Sequence, residues 1–106
     1  MDDITASELD ELMKSGADVQ LIDVRQPAEY NFARIPGFKL IPLGEILQRM
    51  DEIDPERDTV ILCKMGGRSA QAIFALQQAG FKGKLRNLRG GITAWSNDVD
   101  PKVPKY

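Results

Sequence analysis

Apolar residues fall along this 106-residue chain in short unbroken runs, separated by stretches where they recur at helical spacing. Thr5 followed by Glu8 makes a capping box ahead of Leu9, Leu12 and Met13, and Gly16 stops the helix that this pattern predicts. Val19 to Val24 reads as a strand. Gln26-Pro27-Ala28-Glu29-Tyr30 reads as a short helix with proline in its first turn, broken by Ile35-Pro36-Gly37. Leu40 to Leu43 predicts a short strand, Glu45 to Met50 a further helix, and Asp54-Pro55-Glu56-Arg57-Asp58 a polar turn. Thr59 to Leu62 is the run expected of a core parallel strand, and from Ser69 onward Ala72, Ile73, Leu76 and Ala79 recur at helical spacing until Gly80. Leu85 to Leu88 predicts the last strand. Gly90-Gly91 then leads a short helix carrying Trp95, a residue assigned to core or lid packing. Val99 to Tyr106, with two prolines, predicts an extended tail. This alternation implies an α/β domain of parallel strands joined by crossover helices.

Ligands in such folds gather at the carboxyl ends of the strands, and there the only cysteine, Cys63, lies between a strand and a helix start. Gly66 and Gly67 give the intervening turn backbone freedom, so that successive loop N–H groups can converge on the sulfur, and the positive end of the next helix points the same way. Lys64 and Arg68 add positive charge. Such surroundings favour the thiolate, the nucleophilic form of sulfur. A lone cysteine at a strand end is more often an inert buried hydrophobe. A structural cysteine, however, gains nothing from a Gly-Gly pair and two cations in one short loop.

Composition narrows the chemistry. With 42% hydrophobic and 28% charged residues, residues 1–106 read as one globular domain. A net charge of −2 and a pI near 5.1 argue against nucleic-acid binding, which needs a basic surface. No apolar run approaches a membrane span, Met1-Asp2-Asp3 does not begin a signal peptide, and one cysteine forms no internal disulfide, so a cytoplasmic setting is expected. Histidine is absent, which removes Cys-His catalytic pairs and the usual zinc sets, and no metal is expected. Asp23 and Arg25, at the end of the strand predicted over Val19 to Val24, are candidates to line the site, with Asp23 read mainly as a cap on the following turn. Glu29 is placed to pair with Arg25 four positions earlier, and Arg89 is a candidate for charge near the Cys63 loop.

Asp23-Val24-Arg25 with Glu29-Tyr30, Ile35-Pro36-Gly37, Ile41-Pro42-Leu43, Cys63 through Ser69, and Leu88-Arg89-Gly90-Gly91-Ile92 with Ala94-Trp95 occur in an order that resembles a rhodanese domain. The resemblance runs over nearly the whole chain. It implies a three-layer α/β fold, with a central, mostly parallel five-stranded sheet flanked by helices. It also implies a catalytic Cys63 that takes sulfane sulfur from a donor as a persulfide and passes it to a nucleophile, with no cofactor beyond that covalent intermediate. On the same resemblance Lys64, Met65, Gly66, Gly67, Arg68 and Ser69 form the binding loop, wrapping the persulfide with backbone N–H groups and holding an anionic donor by charge. Tyrosine phosphatases resemble a pattern of Cys, five residues, then Arg, whereas four residues separate Cys63 from Arg68, a loop suited to one sulfur rather than a phosphate.

Ala33-Arg34-Ile35-Pro36-Gly37, the Leu40 to Ile46 run and the ending Val99 to Tyr106 are similar to the rhodanese domain fused behind E1-like adenylyltransferases of molybdopterin and thiamin biosynthesis. That similarity implies as partners thiosulfate or a persulfide donor protein, a ubiquitin-like sulfur carrier protein and an E1-like adenylating domain. The chain is then an excised domain of such an enzyme or a free-standing sulfurtransferase. Phe38 departs from the small residue usual in the family and puts the packing after Gly37 in question. The alternative to catalysis is a rhodanese module for protein binding or redox sensing, in which Cys63 is merely oxidisable.

Overall fold

In the computed structural model, which describes residues 1–106, five strands form one sheet in which every neighbouring pair is parallel. In chain order the elements are β1 (Asp3–Ile4), α1 (Ala6–Lys14), β2 (Val19–Asp23), α2 (Pro27–Phe32), β3 (Lys39–Leu40), β4 (Asp58–Leu62), α3 (Gly67–Gln78), β5 (Leu85–Leu88) and α4 (Gly91–Asp98). Spatially the strands run β1-β5-β4-β2-β3. The central strand β4 is therefore covered on both faces, and its residues divide between them because strand side chains alternate. Val60 and Leu62 join Ile4, Leu9, Leu88 and Trp95 in one core layer, where α1 meets α4. Ile61 and Cys63 join Ile22, Ile73 and Leu76 in the other, beneath α3.

The capping box of α1 forms as the sequence requires: the Glu8 amide donates to Thr5 Oγ1 (3.1 Å) and the Thr5 amide to Glu8 Oε1 (2.9 Å). Several expectations need correction. β1 has only two residues, too few to leave a pattern, and is held by pairing with β5. β3 is Lys39–Leu40 rather than Leu40 to Leu43, although the Ile41 and Leu43 amides still bond Asp23 O and Val24 O. Glu45 to Met50 does not form an α-helix. Two 3₁₀ turns, Leu43–Glu45 and Met50–Glu52, take up its ends, because its one buried residue, Ile46, does not make an apolar stripe. Helix α3 begins at Gly67, two residues before Ser69. The stretch Val99 to Tyr106 is not an extended tail: Val103 is buried, its carbonyl accepts from Ser96 Oγ (2.8 Å), and the chain returns to place Tyr106 against α2. Trp95 and Phe38 are both core residues, so the bulky Phe38 is accommodated after Gly37.

No helix is long and apolar enough to cross a membrane.

Candidate active site

Cys63 directly follows β4 and has only 1% of its surface exposed, so its position is set by the sheet and by the turn that leads into α3. That turn needs Gly66, whose φ of +115° lies in the left-handed region closed to most side chains. With this geometry the Gly66 amide points back and donates to Cys63 Sγ at 3.0 Å. Ser69 Oγ lies 3.2 Å from the sulfur and 2.5 Å from Asn87 Oδ1, while Asn87 Nδ2 donates to Gly66 O at 3.0 Å. Asn87, on β5, thus ties both ends of the turn together. Sequence reasoning missed it, although one Asn inside the strand Leu85–Leu88 was a visible anomaly.

Among the loop amides, only that of Gly66 reaches the sulfur. Those of Lys64, Met65, Gly67, Arg68 and Ser69 have no acceptor within the chain. The first turn of any helix leaves such donors, and together they make a region ready to receive negative charge. The loop is held from behind by α4. Ile92 donates its amide to Cys63 O (3.0 Å) and Thr93 to Lys64 O (3.2 Å). Gly91 approaches so closely that a Cβ there would collide with both carbonyl oxygens. Met65 projects from the turn, 66% exposed.

The charged residues are arranged differently from the sequence expectation. The Glu29 carboxylate does not pair with Arg25, whose Nη1 reaches only the Glu29 backbone carbonyl (3.4 Å). The carboxylate takes a two-pronged bond from Arg68 instead, Nη1 to Oε1 at 2.6 Å and Nη2 to Oε2 at 2.8 Å. The Arg68 bond, with help from Tyr106 and the Gln26 amide, lowers the Glu29 pKa from 4.5 to about 2 despite partial burial. Glu29 in turn raises Arg68 against the opposing effect of burial. The charge of Arg68 is already matched within the chain, which argues against its serving as an open anion clamp.

Arg25 and Asp23 form a pair with no side-chain exposure, bridged by Nε and Nη2 to both carboxylate oxygens at 2.7–3.1 Å. Arg25 also donates to Ala33 O (2.7 Å) and to the Tyr106 hydroxyl (3.0 Å), and its own amide bonds Asp23 Oδ1 (3.0 Å). Burial opposes the Arg25 charge, yet the bonds to Asp23 and Tyr106 outweigh it and raise its pKa. The pair braces the turn between β2 and α2, as the capping role read for Asp23 requires, and meets the site through Tyr106 and the Glu29 carbonyl.

Lys64 has no carboxylate partner, and its Nζ sits 4.7 Å from the centre of the Tyr106 ring. Arg89 lies away from the loop, paired with Asp3 at the outer edge of the sheet. Cavities of about 350 Å³ beside Ile53 and Phe81, and about 310 Å³ beside Gln20 and Lys39, include no residue of the Cys63 loop. No group of three or more His, Cys, Asp or Glu side chains is placed to hold a metal ion.

Comparison with known proteins agrees with this architecture. Residues 5–98 match the family described as Rhodanese-like domain. The chain is 42% identical to a protein named Sulfurtransferase from Allochromatium vinosum, over 97% of this chain and 95% of that one. It is 44% identical to Rhodanese-like/PpiC domain-containing protein 12, chloroplastic, of Arabidopsis thaliana, but spans only 37% of that protein's length. Likewise it is 38% identical to the probable adenylyltransferase/sulfurtransferase MoeZ of Mycobacterium tuberculosis while spanning 26% of it. The crystal structure of a rhodanese-like domain protein from Staphylococcus aureus superposes with a TM-score of 0.84 at 30% identity, covering 100% of this chain and 99% of that one. From strand order, loop and sequence alike, the chain belongs to the rhodanese-like domain family.

Proposed function

We propose that the chain is a sulfurtransferase that carries a persulfide on Cys63. The observation that carries this reading is the sulfur held at 3.0 Å from the Gly66 amide, at the mouth of a turn whose other amides have no acceptor in the chain. A cysteine kept only for packing needs no such donors. The Cys63 sulfur attacks the outer sulfur of thiosulfate, a new S–S bond forms, the S–S bond of thiosulfate breaks, and sulfite leaves with the electron pair. The added sulfur carries negative charge, which the loop amides are suited to stabilise. An acceptor such as cyanide then attacks that outer sulfur, the persulfide bond breaks, and its electron pair returns to Cys63 as thiocyanate departs. No further cofactor enters the cycle.

In the cell the same steps suit a cysteine desulfurase persulfide as donor. The acceptor is a ubiquitin-like sulfur carrier protein activated by an E1-like adenylating domain, and the setting is cytoplasmic. The support is the likeness to MoeZ and a composition with one unpaired cysteine.

Intact mass spectrometry after thiosulfate treatment, paired with a thiocyanate assay, tests the reading. A gain of one sulfur on the wild-type protein, absent in Cys63→Ser, with cyanide-dependent release, is the expected result. Turnover retained in a well-folded Cys63→Ser protein would overturn the mechanism, and no adduct on the wild type would favour a binding or redox-sensing module.

A further inference from the structure

Tyr106 touches three of the ionic groups around the Cys63 turn, Arg25, Glu29 and Lys64. Its hydroxyl donates to Glu29 Oε2 (2.7 Å) and accepts from Arg25 Nη1 (3.0 Å). The ring stands edge-on to Phe32 at 6.0 Å, and the Lys64 ammonium lies 4.7 Å from its centroid. These contacts treat the two loop cations differently. Arg68 is locked to a carboxylate that the Tyr106 hydroxyl also holds. Lys64 rests on an aromatic face, which attracts an ammonium without cancelling its charge or occupying all its donors. Glu29 is the carboxylate in this cluster that would otherwise compete for Lys64. Its oxygens already accept from Arg68, Tyr106 and the Gln26 amide.

We propose that Tyr106 is a positioning residue that presents Lys64 beside Cys63 as the cation an anionic sulfur donor meets, while its hydroxyl keeps Glu29 committed to Arg68. The inference rests on the Cys63 site as read above, and adds that donor selectivity is set by Lys64 and the tail rather than by Arg68. Anions such as thiosulfate or a thiosulfonate gain from this arrangement, and uncharged alkyl persulfides do not.

Alkylation of Cys63 tests it without requiring any sulfur transfer. The full chain is treated with iodoacetate, an anion, and with iodoacetamide, its neutral counterpart, and the ratio of the two rates is measured. The ratio cancels differences in how accessible the sulfur is. Lys64→Gln should lower it by about threefold to fivefold at low salt, with the difference shrinking as salt rises. Tyr106→Leu, which removes the ring, should lower it at least half as far on a logarithmic scale, whereas Tyr106→Phe, which keeps the ring, should fall less than Tyr106→Leu. In the Lys64→Gln background, Tyr106→Leu should add nothing further, an outcome that a general disturbance of the loop would not give. An unchanged ratio in Tyr106→Leu, an equal fall in Tyr106→Phe, or a full additional fall in the double variant would each overturn the proposal. If instead wild-type protein forms no persulfide, the sulfurtransferase reading fails while these ratios still report on Tyr106.

Discussion

The β4–α3 and β5–α4 junctions are built from similar parts: a strand ends, a Gly-Gly pair turns the chain, and a helix begins at the carboxyl edge of the sheet. Left-handed glycines open both, Gly66 in the first and Gly90 and Gly91 in the second. They differ in where the first helical amides go. In α4 the Ile92 and Thr93 amides bond the carbonyls of Cys63 and Lys64. In α3 the Gly67, Arg68 and Ser69 amides have no partner in the chain. One junction is thus the floor on which the other rests, and a Gly-Gly turn marks a site only when its amides remain available.

The largest effect that would test this division is expected from Gly91→Ala. The new Cβ would meet the Cys63 and Lys64 carbonyl oxygens, and alanine would also have to hold a φ of +58°. Strain and overpacking together should cost about 2–4 kcal/mol in urea unfolding. Gly67→Ala provides the contrast, since nothing lies within 4 Å of its Cβ and no left-handed φ is required. It should remain within about 0.5 kcal/mol of wild type or gain slightly from helix propensity. Equal stabilities for the two variants would remove the floor from the argument.

The same contrast explains what the sequence could reveal. β4, the start of the turn and the site of Cys63 were legible because each depends on neighbours in sequence: a β-branched run, glycines, and apolar residues at helical spacing. The capping box of α1 was legible for the same reason. The charge pattern was not. Local spacing suggested Glu29 with Arg25 and Arg89 with the loop, yet Glu29 joins Arg68 across 39 positions and Arg25 reaches Tyr106 across 81. Such pairings follow from the strand order, which places the ends of β2 and β4 side by side and which no local pattern encodes. The Glu45 to Met50 segment misled because a handful of helix-favouring residues is not a buried stripe.

A smaller effect is expected at the Glu29–Arg68 pair, which belongs to the first junction and has no counterpart in the second. With a folded pKa of about 2 against an ordinary 4.5, Glu29 contributes stability that is fully present above pH 4.5 and is lost as pH falls through about 2. Glu29→Gln should therefore be less stable than wild type by about 1–3 kcal/mol at neutral pH, a range discounted for partial exposure. The gap between the two proteins should close between pH 4.5 and about 2. Glu52, lowered to about 2 by Arg49 and Lys39, titrates over the same range, so the difference between the two curves is the informative quantity. A gap independent of pH would mean that packing, not charge, carries the contribution of Glu29.

The smallest effect should come from Arg89→Ala, at the second junction. Arg89 makes a two-pronged pair with Asp3 at 2.9–3.0 Å, but the two side chains are 64% and 40% exposed. Water screens such a pair, and backbone bonds from Asn87 to Asp2 O and from Arg89 to Ile4 O already fasten β1 to the sheet. No resolvable loss in urea unfolding is expected, with persulfide loading of Cys63 unchanged. Arg89 immediately precedes its Gly-Gly pair, closer in sequence to it than Lys64 is to Gly66-Gly67. A marked fall in loading would show that the second junction supplies charge to the sulfur. Its role would then extend beyond support, and the division between floor and site would have to be redrawn.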